Sequence, residues 1–430
     1  MGAGGRVCAT LDRLGAKSSR ESVAVRDDRD PVAIAGGGIG GLACALALAQ
    51  RGFRTTVLEQ AREFGEAGVG LQVAPNALSV LDALGVGARA RRGALLIERM
   101  LMMDAVSGET IVDIPCGAEF IERYGNPYAV AHRADIHGAL LEACRDHPLV
   151  ELRTRSRVIG FDQDDKGVIV KVACVASEDC EHLRAAALVG ADGVQSRIRQ
   201  ILIDDGDPFP SGFMIYRAVI PVAEMPDDLQ HPYPTLWAGH DTHVIYYPVR
   251  GWTVFNFGAT VRIGDQPVDE STEAPLEEAL AACAGQHPTP LRVMRAAGRF
   301  RRWTIRRRDP VDNWTRGAVT LLGDGAHPMV QFIAQGAAMA LEDAICLAVM
   351  VEESDGDYAE AFRRYQDIRI VRASRVQTMS WMMDRLLHAG GLERRVRNSI
   401  FAGRTPGDSY ARLDWLYQPP EYVRAPRKPL

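Results

Sequence analysis

Three glycines, Gly36, Gly38 and Gly41, stand upstream of a carboxylate, Glu59, at a spacing that could do chemistry. A tight turn at Gly36 needs the positive φ that glycine adopts without strain. A bare Cα at Gly38 lets the backbone approach a pyrophosphate, whose charge suits the positive end of a following helix. Gly41 lets that helix pack close on a sheet. Glu59 comes 23 residues after Gly36. Its carboxylate can accept hydrogen bonds from both hydroxyls of an adenosine ribose and would repel a 2′-phosphate. The chain has 41 glycines, so the spacing alone is weak and its context decides. Two later turns carry acids. Asp192-Gly193 follows the apolar run Ala187 to Val189, and Gly323-Asp324 follows Val319 to Leu322. An aspartate at the carboxyl end of a strand projects into the crevice where such sheets bind ligands.

The elements that must position these residues are readable nearby. Val32 to Ala35 is an apolar run of strand length, and the glycine turn leads into an Ala/Leu-rich helix ending before Gly52. Thr55 to Leu58 returns as a second strand. A β, turn, α, β order within thirty residues demands a parallel pair with a right-handed crossover. The middle of the chain changes character. Met214 to Ile220, Val244 to Val249 and Trp252 to Val261 read as antiparallel strands, with a hairpin around Arg250-Gly251. Ala337 to Val351 reads as a helix with Leu341, Ala344, Ile345, Ala348 and Val349 on one face. Tyr358 to Met383 reads as one or two long helices. The expected architecture is α/β. A discontinuous Rossmann-type domain spans 31–205 and 291–390, with a mainly antiparallel β-sheet substrate domain inserted at 206–290. A disordered extension covers 1–30, and a C-terminal helical region ends in a tail over 391–430.

Bulk composition narrows the class. With 430 residues, 47% of them apolar, the chain can bury a large core and form two domains or more. A net charge of -5 argues against a general nucleic-acid binder. The cluster Arg301, Arg302, Arg306, Arg307 and Arg308 is interrupted by Trp303 and Ile305 and reads as a strand with a charged face. None of the eight cysteines forms a Cys-x-x-Cys pair. That excludes a zinc ribbon and a reactive dithiol, and fits a reducing, cytoplasmic setting. No apolar run approaches the ~20 residues of a membrane span, and residues 1–30 lack the apolar core of a secretory signal. His240-x-x-His243 and the pair His132 and His137 lack a third nearby ligand, so no metal site is expected.

The three motifs together resemble the class A flavoprotein monooxygenases, the aromatic-ring hydroxylases. That family has an early GxGxxG, a mid-chain DG with a following S-x-x-R (here Asp192-Gly193 with Ser196 and Arg199), and a late GD followed by a proline (here Gly323-Asp324 and Pro328). The resemblance covers about residues 31–390. It implies FAD as the dinucleotide, held by Gly36, Gly38, Ile39, Gly40, Gly41 and Glu59. It places Asp324 on the ribityl chain, and Asp192 and Gly193 near the pyrophosphate and the NAD(P)H path. It places Arg133 on the diphosphate side, with Gln72 in the same site. The helix opening at Gly336-Ala337 would face the flavin ring. For Asp192 a helix cap is a second reading compatible with the first, and for Arg133 a surface salt bridge is the alternative.

Local wording narrows this further. Gly70-Leu71-Gln72-Val73-Ala74-Pro75-Asn76-Ala77, Tyr216-Arg217, the stretch from His327-Pro328 through Gln331 to Gly336, and Asp414-Trp415-Leu416-Tyr417 resemble salicylate hydroxylases and 3-hydroxybenzoate 6-hydroxylases. The resemblance implies hydroxylation of a phenolic or hydroxybenzoate-like ring through a flavin C4a-hydroperoxide, with NADH or NADPH and O2 as co-substrates. Tyr216, Gln331 and His327 are the candidates for favouring substrate ionisation, and Tyr216, Arg217, Gln331 and Pro328 for binding it. Tyr216 and His327 could equally be structural, and Arg217 could pair with an acid of the sheet. Two departures stand out. Several of those enzymes have a pocket histidine shortly before the tyrosine, where Phe213-Met214-Ile215 stands here, and Gly325 replaces the usual alanine after GD. The first departure points to a less polar or larger substrate, such as an N-heteroaromatic or natural-product ring. No second GxGxxG exists, so the nicotinamide donor is expected to bind transiently. A homodimer is left open. Among rivals, a tryptophan-type flavin halogenase lacks its W-x-W stretch here, and an NAD-dependent dehydrogenase or a non-catalytic sensor leaves the DG and GD turns unexplained.

Overall fold

The computed structural model describes residues 30–65, 70–174, 180–264 and 272–424. The extension expected over 1–30 lies, apart from Asp30, outside the described residues. A six-stranded sheet runs in the order Thr315–Arg316, Val319–Leu321, Ala187–Gly190, Val32–Ala35, Thr55–Leu58, Val150–Arg153. It is parallel except for the edge hairpin at Thr315–Arg316. Its central strands are buried on both faces, which is why they read as unbroken apolar runs. The helix Ile39–Ala49 packs on this sheet and against the helices Arg133–Asp146 and Gly336–Glu353. It is buried almost all round, as its Ala/Leu content requires. Each of Leu42, Leu46 and Leu48 contributes about 1.5–3 kcal/mol through that burial.

The second sheet has eight strands, in the order Thr272–Pro275, Arg299–Arg307, Phe209–Pro221, Val254–Arg262, Thr242–Val249, Thr235–Gly239, Arg99–Asp104, Thr110–Pro115. The turn at Arg250-Gly251 has positive φ at both residues and joins two of them as a hairpin. The sheet is wider than the 206–290 block read from the sequence, because Arg99–Pro115 and Arg299–Arg307 belong to it as well. Arg99–Asp104 enters by a parallel pairing with Thr235–Gly239, a long-range contact that no local pattern announces. One face of this sheet carries the core of Tyr216, Phe257 and Phe300, covered by the helices Leu276–Ala282 and Pro288–Ala297. The other face carries Phe213 and Ile215, which pack with Val330, Phe332 and Leu387.

Tyr358–Met382 is one helix, antiparallel to Gly336–Glu353, and the two share buried charges. Arg369 pairs with Glu342 at 2.6 Å and Asp343 at 2.7 Å, and Arg372 also bonds Glu342. The apolar face of Gly336–Glu353 is as the sequence implies, but the acids beside it are buried too. Residues 391–424 are no loose tail. The helices Gly391–Phe401 and Pro406–Tyr417 dock on the body, with Tyr410, Leu416 and Tyr417 buried. Among the described residues no helix is long and apolar enough to cross a membrane, and no group of three metal-ligating side chains converges.

Candidate active site

A cavity of about 1400 Å³ lies between the carboxyl edge of the parallel sheet and the large sheet. It exceeds the ~300–1,000 Å³ of common ligand pockets, so it has room for a dinucleotide and a second molecule. Its lining comes in two sets.

The first set is built from backbone. Gly36 has φ +104°, and a Cβ there would lie 2.3 Å from the carbonyl oxygen of Ala191. His137 braces this turn through a 2.8 Å contact between its Nε2 and the Gly37 carbonyl. Gly38, Ile39 and Gly40 line the cavity, and the helix starting there has no side-chain cap. Its leading N–H groups are therefore available to an anion. Gly41 is not at the cavity; a Cβ there would sit 2.0 Å from the Gly36 carbonyl oxygen, so its work is close packing. Glu59 lines the cavity and accepts hydrogen bonds from Gly37 N and Ala61 N, both at 2.8 Å. Each oxygen keeps a lone pair for a diol.

Asp192 and Gly193 also line it, but the Asp192 carboxylate is occupied. It accepts from Ser196 Oγ at 2.5 Å and Arg197 N at 2.7 Å, holding the start of the helix Arg197–Leu202. Burial raises its pKa. Asp324 is the contrast: exposed, lining the cavity, and with no hydrogen bond to its carboxylate among the described residues. Beside it the helix Gly336–Glu353 begins, again without a side-chain cap, and Gly336 and Ala337 face the cavity. Arg133 and Gln72 complete this end; Gln72 accepts from the Tyr128 hydroxyl at 3.0 Å. A glycine cradle, two uncapped helix starts and an unengaged carboxylate fit a flavin dinucleotide.

The second set is built from side chains of the large sheet. Alternation along Phe209–Pro221 puts Phe213, Ile215 and Arg217 toward the cavity side and Met214 and Tyr216 into the opposite core. From the next strand but one, Thr242–Val249, come His243, Ile245 and Tyr247. Gln331, from the turn Gln331–Ile333, lines the cavity and donates to Thr260 Oγ1 at 3.3 Å. Ala334 closes that turn with φ +53°, a backbone strain placed at the cavity wall. Arg217 donates to Asn256 Oδ1 at 3.3 Å and has no carboxylate partner among the described residues; its Nε is unsatisfied. Burial pulls its pKa down; Tyr247 opposes that, and the charge of Arg133 adds to it.

Three expected substrate residues are elsewhere. Tyr216 donates to Glu278 at 2.8 Å on the far face of the sheet, one strand position from Arg217 and therefore opposite to it. His327 is buried and bonded to Asp343 at 2.6 Å, tying the GD turn to the helix behind it. Pro328 is buried outside the cavity lining, its carbonyl accepting from Gln377 Nε2 at 2.9 Å. Sequence reasoning missed His243, which it weighed only as half of a metal pair. Its position two before Ile245 and four before Tyr247, on one strand face, was the available signal. His243 Nδ1 lies 2.8 Å from His388 Nε2, and His388 Nδ1 lies 2.7 Å from Asp384 Oδ1.

The family model described as FAD binding domain matches residues 29–379. The chain is 42% identical over 384 residues to a 3-hydroxybenzoate 6-hydroxylase of Klebsiella oxytoca, covering 89% of this chain and 95% of that protein. It is 34% identical over 353 residues to a 6-hydroxynicotinate 3-monooxygenase of Bordetella bronchiseptica, covering 81% and 90%. A salicylate hydroxylase solved as a substrate complex shares the fold, with a TM-score of 0.76 at 21% identity over 93% of this chain and 99% of that one. The chain belongs to the FAD-binding family of flavin-dependent aromatic hydroxylases, enzymes that use FAD with NAD(P)H and O2.

Proposed function

We propose that this hydroxylase acts on a small ring bearing both a hydroxyl and a carboxylate, of the 3-hydroxybenzoate kind, and that Arg217 binds the carboxylate. The observation that carries this is a part-buried guanidinium at the cavity wall with no carboxylate partner among the described residues. A desolvated cation without a counter-ion is costly, so such a site favours an anionic ligand. Along the same face of the sheet Ile245, Leu236, Met102 and Trp303 supply apolar lining for a ring. The missing histidine before Tyr216 does not leave the pocket without one, because His243 lines it from the next strand but one. That removes the reason to expect a markedly less polar substrate.

FAD would be held by Gly36, Gly38, Ile39 and Gly40 at its pyrophosphate, Glu59 at the adenosine ribose and Asp324 at the ribityl chain. Arg133 and Gln72 would border it, and the Gly336–Ala337 helix start would face the ring. Bound flavin supplies the oxidising chemistry. The chain's own residues would orient the substrate, exclude water and accept its proton; Gln331, at the cavity wall, would contact the substrate hydroxyl. The described cysteines are all free, five of them buried, which supports a reducing, cytosolic site of action.

The test is substrate-stimulated NADH and NADPH oxidation with product identification, run on 3-hydroxybenzoate, salicylate, 6-hydroxynicotinate and unsubstituted phenol. Hydroxylated product is expected from one or more of the acids and none from phenol. Equal turnover of phenol would overturn the carboxylate reading.

A further inference from the structure

His243, His388 and Asp384 form a chain of hydrogen bonds from the cavity wall toward solvent. His243 lines the cavity and its Nε2 makes no hydrogen bond among the described residues. His388 is fully engaged, Nε2 to His243 and Nδ1 to Asp384. Asp384 is the outlet, with 17% of its side chain exposed, and it also accepts from Arg262 at 2.6 Å. Arg262 bonds Asp241 at 2.7 Å at the surface.

The carboxylate sets the tautomers. Asp384 accepts a proton-bearing Nδ1 from His388, so a neutral His388 has a bare Nε2. That nitrogen can accept only from a protonated Nδ1 of His243. A neutral His243 then has its lone pair on Nε2, the nitrogen left over for the cavity. Two aromatic rings hold this arrangement: Phe213 stacks on His388 at 4.7 Å, and Phe332 meets His243 and His388 edge-on, each at 5.3 Å. Burial first, then the neighbouring His388 and Arg217, keeps the His243 pKa well below its ordinary value. Burial lowers that of His388 while Asp384 opposes. Both rings are therefore neutral at pH 7. The groups facing the chain are Arg217 and Arg262 from the sheet, Asp241 from its edge turn, and Asp384.

We propose that His243 is the base that takes the substrate's phenolic proton, with His388 and Asp384 relaying it outward. The inference rests on the hydroxybenzoate reading above. The phenol O–H bond breaks and its proton joins His243 Nε2. The Nδ1 proton of His243 passes to His388 Nε2, and the Nδ1 proton of His388 passes through Asp384 to water. No electrons move, and one proton leaves. A weak base suffices because the proton does not stay on His243, and the phenolate left behind is more electron-rich for hydroxylation.

The experiment measures product formation from 3-hydroxybenzoate between pH 6 and pH 10 in the wild type, His388→Asn and Asp384→Asn. Neither substituted residue lines the cavity. His388→Asn is expected to lose about 10- to 100-fold in kcat at pH 7, with KM little changed. It should recover to within about threefold of the wild type near pH 10, where the phenol ionises unaided. Asp384→Asn should show the same pattern at a smaller loss, about 5-fold. A uniform loss at every pH, or no loss, overturns the relay. A wild type that forms no product from 3-hydroxybenzoate overturns the substrate reading and the relay together, whereas product with unshifted variant profiles overturns the relay alone.

Discussion

The two ends of one cavity are made in different ways. The proposed cofactor end is contiguous backbone: one turn and one helix start between Gly36 and Gly41, one strand end at Glu59, and a second turn and helix start at Asp324 and Gly336. The proposed substrate end is an assembly of side chains, Arg217, His243 and Gln331, from segments that meet through the register of the large sheet and the turn above it. A backbone site tolerates almost no added atom, whereas a side-chain site tolerates exchange and loses one interaction at a time.

The largest expected effect breaks the cofactor end. A Cβ at Gly41 would sit 2.0 Å from a backbone oxygen of the same turn, and the turn cannot yield without losing the approach to the pyrophosphate. Gly41→Val should cost more than about 3 kcal/mol and leave the protein nearly free of flavin. The ratio of flavin to protein absorbance and the urea midpoint read both quantities. A yellow, stable variant would show that the turn is not the rigid cradle described.

Arg217→Met is the corresponding change at the substrate end, and its effect should be selective. Flavin content should stay normal. For a carboxylated phenol kcat/KM should fall by ~30- to 1,000-fold, mostly through KM, the equivalent of about 2–4 kcal/mol for a lost buried charge pair. Neutral phenols should not be affected, and a parallel loss for them would place Arg217 in the scaffold.

This contrast also explains what the sequence could say. The turn at Gly36 to Gly41 and the strand end at Glu59 were legible because their glycine spacing is local and the parallel strands around them are locally apolar. Strands and the hairpin at Arg250-Gly251 were legible from β-branched and aromatic runs. The width of the large sheet was not, since Arg99–Pro115 joins it through a pairing more than a hundred residues away. The substrate residues suffered most. Tyr216 and Arg217 both entered as substrate candidates through the resemblance, yet strand period places neighbours on opposite faces. His388 had no local signal; its place is defined by the hydrogen bonds to His243 and Asp384 and by the packing of Phe213 and Phe332 on its ring.

His327 sharpens the comparison from the side of the scaffold. It bonds Asp343, and Asp343 also accepts from Arg369 and from Gly323 N. Burial alone would raise the Asp343 pKa, but His327 and Arg369 hold it down to about 2. A carboxylate depressed on folding stabilises above its unfolded value of ~3.9 and loses that contribution as pH falls toward the folded value. The Asp343 contribution, about 2–3 kcal/mol, should therefore vanish between about pH 4 and pH 2. His327→Leu should remove about 3 kcal/mol at pH 7, by stripping one partner from a buried acid. Turnover per bound flavin should stay within about threefold, because His327 does not line the cavity. Thermal melts at fixed pH and flavin-normalised rates separate the two readouts.

The smallest effect is the most discriminating. Tyr216 lies next to Arg217 in the chain and was a candidate for activating the substrate, yet its hydroxyl donates to Glu278 at 2.8 Å, where Arg302 also bonds the same acid. Its ring packs edge-on to Phe300 at 6.2 Å, inside the core beneath the two covering helices. Tyr216→Phe removes one hydrogen bond to a charged acceptor that retains Arg302, a loss of about 1 kcal/mol in stability. The rate with a hydroxybenzoate should change less than about twofold at every pH, since no atom of the cavity wall moves. A fall of ten times or more, rescued at high pH, would bring Tyr216 into the reaction and would mean that the sheet presents its other face to the substrate. Paired with His388→Asn, the measurement asks which face of one strand the chemistry uses, and the geometry answers with the face that carries Arg217.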